Sequence, residues 1–189
     1  MKAFLIRTIF RFFYIALRII PVSAQEKLAC GIGDLVYKSS AARRRLMVSN
    51  LRIAFKETKT EAELEEIARI SYHNMIMSAF EFIRFPLYTE ADIVRMVDVV
   101  GEEDMRAARD RGKGVVVISA HFGNWELLAA RIHTLGFPMT AVGRPQNDSL
   151  LDDFIVKMRT SKGTKNIPRG VPMFDHITKL LKEDRKSVV

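Results

Sequence analysis

The chain has 189 residues, 48% of them hydrophobic and 28% charged, enough apolar content for one domain with a sizeable core and too much for a disordered chain. Lys and Arg number 30 against 22 acidic residues, and the formal net charge of +8 points to an anionic partner. The basic residues are spread along the chain without interleaved aromatics, which sets nucleic acid aside and leaves a membrane surface or an acidic protein. Cys30 is the single cysteine, which excludes an internal disulfide and a cysteine-rich zinc site and suits a reducing, cytoplasmic-side setting.

Residues 3–20 are largely apolar but contain Arg7, Arg11 and Arg18. At about 100° per residue these three fall within roughly 40° of one another on a helix, and Tyr14 joins their stripe. Leu5, Ile6, Ile9, Phe12, Phe13, Ala16, Ile19 and Ile20 cover the opposite side. This pattern predicts a helix over residues 1–21 that lies in the membrane interface with its arginines at the headgroups, ending at Pro21. Three alternatives compete. A spanning helix of about 20 apolar residues would bury two arginines near mid-span. A cleaved signal is suggested by Val22-Ser23-Ala24, but only six residues separate Arg11 from Arg18. A helix docked on the protein's own core is the third.

Residues 22–189 are expected to form a helical region followed by an α/β domain. Residues 24–83 carry helical periodicity. Arg43-Arg44-Arg45 opens a segment with apolar Leu46, Val48, Leu51, Ile53, Ala54 and Phe55, and Thr60 with Glu63 forms a capping box before Leu64, Ile67 and Ile70. That helix is expected to continue through Met75, Ile76, Phe80 and Phe82 as far as Pro86, its Met/Phe face serving as core or as an acyl-chain groove. From residue 96 the pattern alternates. Strands are expected at Val97–Val100, Val115–Ile118, Thr140–Val142, Asn166–Ile167 and from Lys186. Helices are expected at Glu102–Arg111, Asn124–Leu135, Leu150–Arg159 and Met173–Leu181. Such alternation predicts a mainly parallel sheet. The last strand is cut by the end of the chain, so the sheet is expected to be incomplete and the chain truncated at its C-terminus.

The chemistry is concentrated in Ser119-Ala120-His121-Phe122-Gly123-Asn124-Trp125-Glu126. His121 follows a strand end, where α/β proteins place ligand sites. Gly123 permits a tight turn, Asn124 suits an N-cap, and Glu126 falls in the first helical turn, where the dipole favours its ionised form. A carboxylate bonded to one imidazole nitrogen would fix the tautomer and leave the other free as a general base, worth roughly 10²- to 10⁴-fold in rate. The spacing alone equally allows a His–Glu bond that merely pins a loop. Ser119 is a conceivable nucleophile, but the Gly-x-Ser-x-Gly elbow is absent, and an external hydroxyl is the simpler target. Two potential ligands do not make a metal site.

His-Phe-Gly-Asn-Trp-Glu, after an apolar strand and Gly112-Lys113-Gly114, resembles the His-x4-Asp/Glu signature of the lysophospholipid acyltransferase superfamily. It is most similar to the lipid A biosynthesis lauroyl/myristoyl acyltransferase branch, whose acidic residue is usually Glu. Asn50-Leu51-Arg52-Ile53-Ala54-Phe55, Glu81-Phe82-Ile83-Arg84, and Gly143-Arg144-Pro145 with Asn147 and Leu150-Leu151-Asp152 resemble further blocks of that branch. The resemblance implies a glycerolipid acyltransferase-like α/β fold. It implies transfer of a fatty acyl group from acyl carrier protein to a hydroxyl of a lipid A precursor, at the cytoplasmic face of the inner membrane. His121 would be the general base and Glu126 its assistant. Arg144, Arg159 and Arg169 would meet substrate phosphates or the oxyanion, with Asn124 also among the substrate contacts. No metal or bound cofactor is implied. Members of the branch continue for roughly a hundred residues beyond this point. A glycerophospholipid acyltransferase, which more often carries Asp at the Glu126 position, and a non-catalytic membrane-binding fragment are the alternatives.

Overall fold

The computed structural model describes the backbone of residues 2–169, 173–184 and 187–188, with side chains for these residues except 2–7, 9, 10, 173, 174, 176, 183, 184, 187 and 188. The chain divides into two compact units at Arg84/Phe85.

The first unit is helical. It comprises α1 (Lys2–Ile19), α2 (Val22–Ser39), α3 (Ala41–Phe55) and α4 (Glu61–Arg84). Pro21, extended at φ −58° and ψ 149°, separates α1 from α2. The buried residues of α2 fall every fourth position (Gln25, Ala29, Gly33, Tyr37), as do Leu64, Ala68 and Tyr72 of α4. These are the i, i+4 ridges along which helices interlock. Gly33 makes the contact close, because a Cβ there would lie 2.6 Å from the His73 ring. Asp34 then accepts from His73 Nε2 (2.6 Å) and Arg69 Nη1 (2.9 Å), which together hold its carboxyl below the usual carboxylate range. The expected capping box is present: Thr60 N donates to Glu63 Oε2 at 2.8 Å and Glu63 N to Thr60 Oγ1 at 3.3 Å. The Met/Phe face of α4 is core in part. Phe80 is buried with Leu17 and Ala29, and Ile76 and Met77 pack on them, whereas Met75 stands exposed.

Helix α1 docks through Leu17. Its end is held by two side chains reaching the same pair of carbonyls: Gln25 Nε2 donates to Leu17 O (3.0 Å) and Ile20 O (2.7 Å), and Arg84 Nη1 donates to them at 2.9 and 3.3 Å. These bonds satisfy carbonyls that a helix end leaves orphaned. Phe12, Ile15 and Ile19 remain exposed, as do Arg11 and Arg18, and Arg18 lies over the Tyr14 ring at 5.4 Å. The Arg7 side chain lies outside the described residues. No helix among the described residues is long and apolar enough to cross a membrane.

The second unit is a mostly helical α/β arrangement around a small parallel sheet. After a 3-10 turn at Phe85–Leu87 come α5 (Glu90–Met96), α6 (Glu102–Asp110), β1 (Val115–Val116), α7 (Trp125–Thr134), β2 (Met139–Gly143), α8 (Ser149–Thr160), β3 (Lys165–Pro168), α9 (Met173–Lys179) running into a π turn at Leu180–Asp184, and β4 (Ser187–Val188). Strand order is β1-β4-β2-β3, all parallel. The longest pairing runs from Thr140↔Lys165 to Gly143↔Pro168. Helix α7 is packed on two sides. Leu127 and Ala130 meet Phe85 and Ile93, and Ile132 meets Phe137 and Met139.

Two expected strands are corrected. Val97–Val100 forms none. The Val97 N–H closes α5 onto Ile93 O (3.1 Å), its carbonyl accepts from Arg131 Nε (3.1 Å), and Val100 is 99% exposed, so Val97 has no free ladder group and Val100 no buried side. The Val115–Ile118 strand stops at Val116, and Ile118 is 92% exposed.

Candidate active site

The loop from β1 to α7 carries His121, and Asn124 terminates it. The Asn124 Oδ1 accepts from the backbone N–H groups of Glu126 (3.2 Å) and Leu127 (3.1 Å), as an N-cap should. Gly123 enters the cap at φ +58°, a conformation glycine adopts without strain. The cap sets the rotation of the first helical turn. Trp125 and Leu128, three residues apart, share the exposed side, and Glu126 turns inward to 7% exposure.

No hydrogen bond or ion pair joins Glu126 to His121 among the described residues. Its Oε1 accepts from Arg159 Nη2 (2.7 Å), Arg159 Nε (3.0 Å) and Trp125 Nε1 (3.2 Å), and its Oε2 accepts from Arg159 Nε (3.2 Å). The two side chains are 8% and 18% exposed, so this is a buried, forked ion pair. Arg159 comes from the last turn of α8, and its Nη1 donates to Asn166 Oδ1 on β3 (3.1 Å). Gly143 makes this possible. A Cβ there would lie 2.7 Å from Arg159 Nη1 and 2.9 Å from Asn166 Oδ1, so the guanidinium passes where any other residue would stand. His121 is exposed, and its ring faces the Trp125 indole at 4.7 Å between centroids with a 55° tilt.

A cavity of about 450 Å³ joins these groups. His121, Glu126 and Arg159 line it, with Arg144 and Arg169, which follow the C-terminal ends of neighbouring strands β2 and β3. Both arginines are exposed, and neither guanidinium has a partner among the described residues. Arg169 is held by its backbone, its N–H donating to Gly143 O at 2.7 Å. Val117, Ile132, Met139 and Ile155 supply an apolar wall. Ser119 also lines the cavity, and its hydroxyl donates to the Ala120 carbonyl (3.4 Å), not to His121. No three His, Cys, Asp or Glu side chains are grouped to hold a metal among the described residues.

The expected site residues are thus brought to one cavity, with Glu126 and Arg159 paired to each other. Asn124 borders them as the helix cap. Sequence reasoning missed Trp125, Asn166 and the clearance at Gly143. The one available signal was Gly143 preceding an arginine at a predicted strand end.

A cavity with one apolar wall, free cations and a histidine suits an amphiphile with anionic groups. The model of the bacterial lipid A biosynthesis acyltransferase family matches residues 2–189. The lipid A biosynthesis lauroyltransferase of Escherichia coli K12 is 26% identical over 133 residues, 70% of this chain and 43% of its own length. The lipid A biosynthesis acyltransferase of Haemophilus influenzae is 24% identical over 173 residues, 89% of this chain and 54% of its own. The E. coli K12 palmitoleoyltransferase is 26% identical over 148 residues, 76% and 48% respectively. The chain spans about half the length of these relatives. Since the match takes in both helical unit and cavity, the chain belongs to the bacterial lipid A biosynthesis acyltransferase family.

Proposed function

We propose that this protein acylates a hydroxyl of a lipid A precursor with a fatty acyl group from acyl carrier protein. The observation that carries the reading is the single cavity in which an accessible histidine meets unpaired arginines and an apolar wall. His121 takes the acceptor hydroxyl proton as the oxygen attacks the thioester carbonyl. The carbon–sulfur bond then breaks, and the proton passes to the leaving thiolate. Glu126 assists as a buried charge held by Arg159 on the same wall, without a direct bond to the imidazole. Arg144 and Arg169 meet phosphate oxygens of the substrates or the developing oxyanion, for which guanidinium is suited.

The acceptor is a membrane lipid, and α1 offers the matching surface. Exposed Phe12, Ile15 and Ile19 lie beside Arg11 and Arg18, the makings of an interfacial anchor at the cytoplasmic face of the inner membrane. Incubation of the chain with an acyl carrier protein thioester and a lipid A precursor tests the reading. An ester product on the precursor, read by mass spectrometry, supports it; thioester left intact, or hydrolysed without ester, contradicts it. A lysophosphatidate acceptor used in preference to the lipid A precursor would favour the glycerophospholipid reading.

A further inference from the structure

We propose that Trp125 is a positioning residue that couples Glu126 to His121. The inference rests on the acyl-transfer reading of the site. A carboxylate five residues after the histidine suggests a direct bond, yet the described partners of Glu126 are Arg159 and the Trp125 N–H. The group against the imidazole is the indole, 4.7 Å away. Its N–H end is tethered to a carboxylate that Arg159 and, through it, Asn166 hold in place. The indole plane is therefore fixed by a chain of bonds reaching α8 and β3, and it presents that fixed plane to a histidine on an otherwise exposed loop.

The need for such a group follows from the charges lining the cavity. Among the described residues, His121 shares it with one carboxylate, Glu126 from α7, and three guanidiniums: Arg144 after β2, Arg159 from α8 and Arg169 after β3. Arg159 is neutralised by Glu126, which leaves two cations to oppose the imidazolium formed when His121 takes a proton. An indole attracts a cation to its π face. An N–H bonded to a carboxylate places negative charge behind that ring. Trp125 thus orients the base and favours its charged form, the two tasks expected of a directly bonded carboxylate.

Trp125 is the only tryptophan in the chain, so intrinsic fluorescence reads this ring alone. In the full chain between pH 5 and 8, the emission is expected to fall as the adjacent imidazole becomes charged and quenches it. His121→Gln, at an exposed position, is expected to abolish that step. An unchanged step in His121→Gln, or no step in the wild type, overturns the inference. In the transfer assay, Trp125→Phe keeps an aromatic face and Trp125→Leu removes it. Trp125→Leu is expected to lower kcat about two- to fivefold below Trp125→Phe with KM unchanged, and to move the acid limb of the kcat–pH profile down by about half a pH unit. A loss of kcat without that movement would mark a purely structural role and overturn the coupling. The fluorescence step needs no turnover. Absence of transfer with the step intact would therefore sink the acyl-transfer reading and leave the Trp125–His121 contact standing.

Discussion

At the residue scale, the site turns on which neighbour each charge finds. The pairing of Glu126 with Arg159 spans 33 residues and was not legible in the sequence, because nothing local records that an arginine at the end of one helix passes a glycine to reach another. What the sequence made visible was the pair five residues apart, and there the intervening tryptophan takes the contact. The buried pair has a consequence for stability. Arg159→Met leaves Glu126 buried without its partner and is expected to destabilise the fold by about 3–5 kcal/mol in urea unfolding, with Glu126→Leu added in the same chain restoring most of the loss. If Arg159→Met unfolds at the wild-type midpoint, the pair is not holding α7 to α8.

At the element scale, the helices and the parallel sheet were legible, and the exact strands only in part. Asn124 and the Thr60/Glu63 pair announced their helix starts because capping is written within four residues. Val97–Val100 has the composition of a strand, but strand formation depends on unspent backbone partners, and Val97 gives both of its groups to α5 and Arg131. The capping box also carries a pH dependence. The Thr60 backbone N–H, followed by the Lys59 ammonium and the Thr60 hydroxyl, lowers the Glu63 carboxyl from 4.5 to about 2. Since the folded state binds that proton less readily than the unfolded chain, the contribution is complete above about pH 4.5 and is lost as pH falls toward 2. Glu63→Gln can still close the box without the charge. The wild type is therefore expected to exceed it in urea midpoint at pH 6, with the gap closing between pH 4.5 and 2. A gap that stays constant over that range would contradict the assignment.

At the scale of the whole molecule, net charge and the first helix point to the same partner. On the proposed reading, the excess of +8 would draw the chain to an anionic membrane surface, where the exposed Phe12, Ile15 and Ile19 would supply apolar contact. Vesicles containing anionic phospholipid are expected to sediment the protein, vesicles of neutral lipid much less so, and added salt to release part of it. Loss of residues 1–21 should abolish sedimentation; unchanged binding after that deletion would place the lipid contact elsewhere. The sequence suggested this helix through its arginine stripe but did not reveal its docking. Only the packing of Leu17 on Ala29 and Phe80 shows where the helix docks.

The central claim is that His121 is the base of an acyl transfer. Its most direct test is the rate of ester formation on a lipid A precursor from an acyl carrier protein thioester, wild type against His121→Ala. Loss of an exposed side chain leaves the packing intact, so the variant is expected to fold normally and to transfer about 10²- to 10⁴-fold more slowly. Transfer by His121→Ala at the wild-type rate would contradict the account.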